Sequence, residues 1–281
     1  MSRKHPFSIA GSLLGVASLV FAAACQNATA RDRLADAGVA AQTTTSGGEA
    51  PVAAFVTAAP RAPACPPEMT LVAGDYCPDV EQTCLEWMDP PESRYAHFRC
   101  ARYAHTPRCK SQARRPMRFC IETVEHREPG SDLPMNKKSW TDGTRICASA
   151  GMRLCTESEW QFACEGEEMR PYAYGFERDP SACNVDIATG LGRVGKLVDH
   201  REPASSHPRC VSAFGVHDMA GNVDEWVTVE GLPVGRREVM KGSWWMPGRH
   251  ACRSFQAHHG PNYGGTETGV RCCRDAGGTQ G

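Results

Sequence analysis

The chain has 281 residues, and 31 Lys and Arg against 32 Asp and Glu leave a formal net charge of −1. That balance carries no message about nucleic acid, no basic stripe interleaved with aromatics points to it and no nucleic-acid partner is expected, and Arg114-Arg115-Pro116-Met117-Arg118 reads as a solvated loop. Fifteen cysteines without one C-x-x-C pair, and ten histidines without ligand spacing near them, argue against zinc and for disulfides.

In chain order, Arg3, Lys4 and His5 precede an apolar stretch from Phe7 to Ala24 that is too short and too rich in small residues to span a membrane as a helix. Residues 1–24 therefore read as a signal peptide. The stretch ends in Ala22-Ala23-Ala24-Cys25, which resembles the bacterial lipobox, with Ala22 where Leu is usual. A lipid on Cys25 would hold an exported protein on a membrane of the bacterial envelope; plain cleavage after Ala24 would instead release it. Residues 25–64, rich in Ala, Thr, Gly and Pro, cannot bury enough surface to offset their ordering entropy and read as a tether. An ordered domain is expected over 65–275, followed by a tail at 276–281. Setting Cys25 aside leaves an even number of cysteines, room for up to seven bridges in an exported chain.

Within that domain, Glu68–Tyr76 suggests a strand or hairpin arm, and Met117–Val124 a second strand. Between them, residues 79–116 are polar and Pro-rich with Cys84, Cys100 and Cys109, and read as an insertion held by its own disulfides. Ser139 caps a helix carrying Trp140, Thr144 and Cys147, stopped by Gly151. Thr156 and Glu159 form a capping box for a second helix carrying Trp160, Ala163 and Cys164. Beyond it, Gly and Pro punctuate short apolar runs, so regular structure is expected to be sparse.

Four segments then carry a specific resemblance. Gly151-Met-Arg-Leu-Cys-Thr-Glu-Ser-Glu-Trp160 resembles G-K-R-L-P-T-E-x-E-W, and Gly215-Val-His-Asp-Met-Ala-Gly-Asn-Val-Asp-Glu-Trp226 resembles G-L-x-D-M-x-G-N-V-x-E-W. Lys241-Gly-Ser-Trp244 resembles G-G-S-W, and Gly269-Val-Arg-Cys272 resembles G-F-R-C. In this order they are the signature of the formylglycine-generating enzyme, or sulfatase-modifying factor, family. The resemblance spans about Glu68 to Asp275 and implies an α+β fold, C-type-lectin-like, with little regular structure. It also implies the bridges Cys147–Cys272 and Cys164–Cys252. Cys155, Cys183, Cys210 and Cys273 are left to pair among themselves.

The resemblance further implies calcium, held by side chains at Asp218 and Glu225 and carbonyls at Gly221 and Val223. Hard oxygen donors on a bent loop suit that ion. The bland alternative is that Asp218 and Glu225 cap turns and pair with arginines. A second family site begins at Asn184-Val185, with Asp199 as a further candidate ligand. The family's oxidase uses copper on two thiolates shortly after G-G-S-W. Here Met246 stands at the first position and the stretch holding the second is missing, so copper is not expected. Two functions are left. One is a non-catalytic module binding an envelope protein, peptide or glycan, with Ser243, Trp245, Met246, Arg249 and Arg253 on its face, beside Trp244, which reads rather as core. The other is an oxidoreductase with a remodelled site, with His258 and His259 as candidate ligands.

Overall fold

The computed structural model describes residues 63–192 and 195–277. The expected signal peptide, Cys25, the expected tether up to residue 62 and the expected tail beyond residue 277 lie outside the described residues.

Among the described residues two helices sit among eleven short strands. Strand β1 (Met69–Tyr76) runs antiparallel to β6 (Arg115–Glu122), with Met69 opposite Glu122 and Tyr76 opposite Arg115. The sheet continues through β11 (Cys272–Asp275) to β7 (Arg153–Leu154), in the order β1-β6-β11-β7. The last four residues of β6 are all buried, as a central strand covered on both faces must be. A second sheet has β8 (Asp224–Thr228) in the middle, antiparallel to β9 (Glu238–Lys241) and parallel to β10 (Thr268–Val270).

Both helices start on reciprocal caps. In α1 (Trp140–Ser149) Ser139 accepts from the Asp142 amide while Asp142 reaches back. In α2 (Glu157–Glu165) Thr156 and Glu159 do the same. Helix α2 is buried from Ser158 to Glu165, on every side, which makes it the centre of the domain rather than a surface helix. Trp160 and Phe162 pack there with Val72, Phe119, Ile121 and Val227. A second cluster joins Trp140, Leu154, Trp226, Met240 and Val270. From α2 to β8 no helix or strand occurs among the described residues.

Seven disulfides do what ladders do elsewhere. They are Cys65–Cys120, Cys77–Cys109, Cys84–Cys100, Cys147–Cys272, Cys155–Cys273, Cys164–Cys252 and Cys183–Cys210. Cys272 and Cys273 are neighbours on β11, so their side chains leave opposite faces of the sheet. One is tied to α1 and the other to the turn before α2. So dense a framework is that of a chain folded in an oxidising, exported compartment. No described helix is long and apolar enough to cross a membrane.

Residues 79–116 carry two small ladders, β2 (Val80–Glu81) with β5 (Arg108–Cys109) and β3 (Cys84–Trp87) with β4 (Cys100–Tyr103). Cys84–Cys100 closes the second ladder internally. The segment also leans on the body: the Tyr103 amide donates to the Phe176 carbonyl, and the Tyr172 hydroxyl to that of Cys100.

Candidate functional site

Strand β8 presents two acids to two different places. Adjacent residues of a strand face opposite ways, so Glu225 points toward β11 and α2 while Asp224 lines a pocket on the other side.

On the Glu225 side, Arg271 clasps the carboxylate through Nε and Nη2, at 2.7–3.0 Å, and the Trp160 indole donates at 2.6 Å. The guanidinium also reaches the carbonyls of Glu122 and His217. The loop before the strand turns sharply, with positive φ at Asp218, Gly221 and Asn222. Gly221 is required there: a Cβ would lie 2.2 Å from the Asn184 carbonyl oxygen. Asp218 accepts from the Ser205 amide at 2.6 Å. Glu125, an acid that the sequence motifs did not single out, is buried beside them and accepts from the Asn222 side chain and the Val223 amide. Its only sequence signal is its place just past an apolar strand.

Burial pushes the carboxyls of Glu125 and Asp218 upward, and for Glu125 the charges of Asp218 and Glu225 add to the effect. Three buried carboxylates thus share one guanidinium, and the excess negative charge in a bed of oxygen donors is what a divalent cation neutralises. Asp218 and Glu125 beside the Gly221 and Val223 carbonyls have the donor chemistry that calcium takes, while both oxygens of Glu225 are engaged by Arg271 and Trp160. At the second expected site the neighbouring groups are these. Asp199 is held by Arg201, which lowers its carboxyl below the usual range, and the Asn184 amide is spent on His200 and Asn222. Val185 packs in the small cluster around Cys183–Cys210.

On the Asp224 side lies a pocket of about 490 Å³. Its floor is Asp224, Met240, Ser243 and Gln256; its walls are Trp244 and Phe255 from the body and Tyr95 and Phe98 from the Cys-rich segment. Ser243 is buried with φ of 63°, and a Cβ at Gly248 would meet its hydroxyl at 2.7 Å, so the chain closes tightly over this turn. His250 holds the turn from below: its Nε2–H donates to the Trp244 carbonyl while Nδ1 accepts from Arg178. Burial and the Arg178 charge push His250 down to about 4, so it is neutral in this role.

The expected binding face is redrawn by these positions. Ser243 and Arg249 line the pocket, with Arg249 exposed and its guanidinium 4.7 Å over the Phe98 ring. Trp245, expected on the rim, is fully buried, and its neighbour Trp244, read as core, lines the pocket instead. The left-handed Ser243 turn decides which of the two indoles faces in. Met246 packs against Gly190. Arg253 is a clamp rather than an anchor: it grips buried Glu165 with two nitrogens and donates to the carbonyls of Cys77 and Pro78. His258 reaches the pocket, whereas His259 stacks on Tyr263, so the two do not converge.

Copper does not fit the described residues. Every described cysteine is bonded to another, Cys252 to Cys164, so no thiolate pair is present. Lone Met246 supplies one weak thioether.

The comparisons with known proteins agree with this architecture. A family profile described as "Sulfatase-modifying factor enzyme 1-like domain" matches residues 75–276. The chain is 30% identical over 160 residues to the inactive C-alpha-formylglycine-generating enzyme 2 of Mus musculus, covering 52% of this chain and 50% of that protein. It is 26% identical over 177 residues to the formylglycine-generating enzyme of Bos taurus, covering 54% and 46%. The chain thus spans about half the length of these curated relatives. Among solved structures, CarF superposes with a TM-score of 0.50 at 16% identity, over 75% of this chain and 98% of that one, which speaks to the fold alone. The fold is the disulfide-rich, C-type-lectin-like α+β arrangement of formylglycine-generating enzymes, and the chain belongs to the family of sulfatase-modifying factor enzyme 1-like domains.

Proposed function

We propose that this domain is a non-catalytic binding module of the bacterial envelope, anchored by lipid at Cys25, with the pocket over Asp224 as its recognition site. One observation carries the reading: where the family's oxidase needs two free thiolates, this chain has Met246 at the first position and lacks the stretch holding the second, its nearby Cys252 being bonded to Cys164, while an aromatic-walled pocket over Asp224 is intact. The relatives it resembles include both formylglycine-generating enzymes and proteins named inactive, so their names do not decide the matter. Exposed Tyr95, Phe98 and Phe255 form the pocket wall, an apolar share suited to docking an envelope protein, peptide or glycan. Calcium on the Asp218–Glu225 loop would neutralise the buried acids and stiffen the strand that carries the pocket floor.

The deciding experiment incubates the full chain with Cu(I), O₂ and a C-x-P-x-R peptide. The expected result is an unchanged peptide mass; conversion of the peptide cysteine would sink the reading. For the anchor, Cys25→Ala should move the protein from the detergent phase to the aqueous phase in a partition assay, and an unmoved protein would refute it.

A further inference from the structure

Four buried acids of this domain can be sorted by what answers their charge. Glu165 has Arg253, Glu225 has Arg271, and Glu122 has His126 at 2.6 Å. Asp224, at the pocket floor, has none. It is fully buried; one carboxylate oxygen accepts from the Gln256 amide at 2.6 Å, and the other, Oδ1, has no partner. Burial, and after it the charge of Glu267, push its carboxyl well up, and no cation is among its hydrogen-bond or ion-pair partners.

Glu267 repeats the pattern. It is 5% exposed, its Oε1 accepts from the Tyr263 hydroxyl at 2.6 Å, and its Oε2 is unpartnered. The Asp224 amide donates to the Glu267 carbonyl at 2.8 Å, so the two residues are held side by side where β8 meets β10. Two unpartnered acceptor oxygens, each on a nearly inaccessible side chain, would cost several kcal/mol if nothing ever satisfied them.

The walls say what kind of group would. Trp244, Tyr95, Phe98 and Phe255 surround the space above Asp224, and aromatic faces attract cations as carboxylates do. The pocket's own cations are engaged elsewhere. Arg99 is paired with Asp89 at 2.7 Å, and exposed Arg249 lies over Phe98 and donates to the Phe255 carbonyl.

We propose that the pocket binds a protonated amine or guanidinium, with Asp224 as the residue that receives it and Glu267, beside Asp224 and outside the pocket lining, as a second negative charge behind it. The inference rests on the binding-module reading and specifies its ligand chemistry: a small organic cation, or a lysine or arginine side chain of a partner chain.

Titration calorimetry on the full chain tests it with butylammonium against butanol, and with an acetyl-Gly-Lys-Gly-amide peptide against its norleucine counterpart. The expected result is saturable binding of at least one ammonium probe, about tenfold or more tighter than its neutral analogue. Tighter binding of the peptide than of butylammonium points to a partner chain; the reverse points to a free amine. Asp224→Asn and Glu267→Gln should each weaken it by about tenfold, with melting curves showing that each variant is folded. Equal binding of charged and neutral probes, no binding up to about 10 mM, or unchanged affinity in both folded variants would overturn the proposal. Because the cysteine-peptide assay reads a change of peptide mass and not occupancy of the pocket, an inert peptide together with a failed titration removes the cation and leaves the binding module standing.

Discussion

Asp224 and Glu225 are neighbours on one short strand, both fully buried, yet the protein treats them in opposite ways. Glu225 is locked by a guanidinium and an indole and closes a structural cluster. Asp224 keeps an oxygen without a partner at the floor of a pocket. A carboxylate that only holds a fold together is satisfied from within; one left open at a pocket is organised for something that arrives. The contrast separates the part of the domain that is architecture from the part that is available for recognition.

The largest effect expected breaks the architectural side. Arg271→Met removes the one guanidinium among Glu125, Asp218 and Glu225, and should destabilise the domain by about 3–5 kcal/mol in equilibrium denaturation. Next comes calcium. At a hundredfold excess over its dissociation constant the ion should add about 2.7 kcal/mol, read as a rise in melting temperature that a chelator reverses. Asp218→Asn should remove that rise and Asp224→Asn should leave it. A rise lost equally in both would erase the distinction between the two faces.

A third test sharpens the pocket side through His250, which holds the Trp244 carbonyl in its neutral form. Its folded pKa, pushed down to about 4, lies below the ordinary value of 6.5, so between those values the unfolded chain binds the extra proton. Stability from this group is therefore complete above about pH 6.5 and falls away as the pH drops toward 4, at up to about 1.4 kcal/mol per pH unit. His250→Gln should flatten that part of the profile. The smallest effect is a gain. Asp224→Asn replaces an unanswered buried acid with an amide, and should raise stability by about 1 kcal/mol while weakening the pocket, the usual exchange at a binding site. A loss of stability instead would return Asp224 to the architectural side.

Local chemistry was legible in the sequence and nonlocal chemistry was not. Ser139, Thr156 and Glu159 announce helix starts because a cap is read within four residues. The strands at Glu68–Tyr76 and Met117–Val124 show in their β-branched and apolar character and recur within a residue or two as β1 and β6. The role of Arg253 was invisible because its partner Glu165 lies 88 positions away. Glu125, Asp224 and Glu267 look like ordinary surface acids until the fold buries them. The exchange between Trp244 and Trp245 turned on one left-handed residue, Ser243, which no propensity scale assigns to that conformation. The Cys-rich segment read as an appendage, yet Tyr95 and Phe98 from it complete the pocket wall.

The paired cysteines of β11 have a consequence for durability. Three bonds, Cys147–Cys272, Cys155–Cys273 and Cys164–Cys252, all span the long stretch between α2 and the last strands. A protease that nicks any loop between Cys164 and Cys252 therefore leaves two fragments still joined at three points, and at a fourth when the nick falls between Cys183 and Cys210. Such a chain would migrate intact until a reductant is added, and damage outside the cell would accumulate as scars rather than as loss of the module.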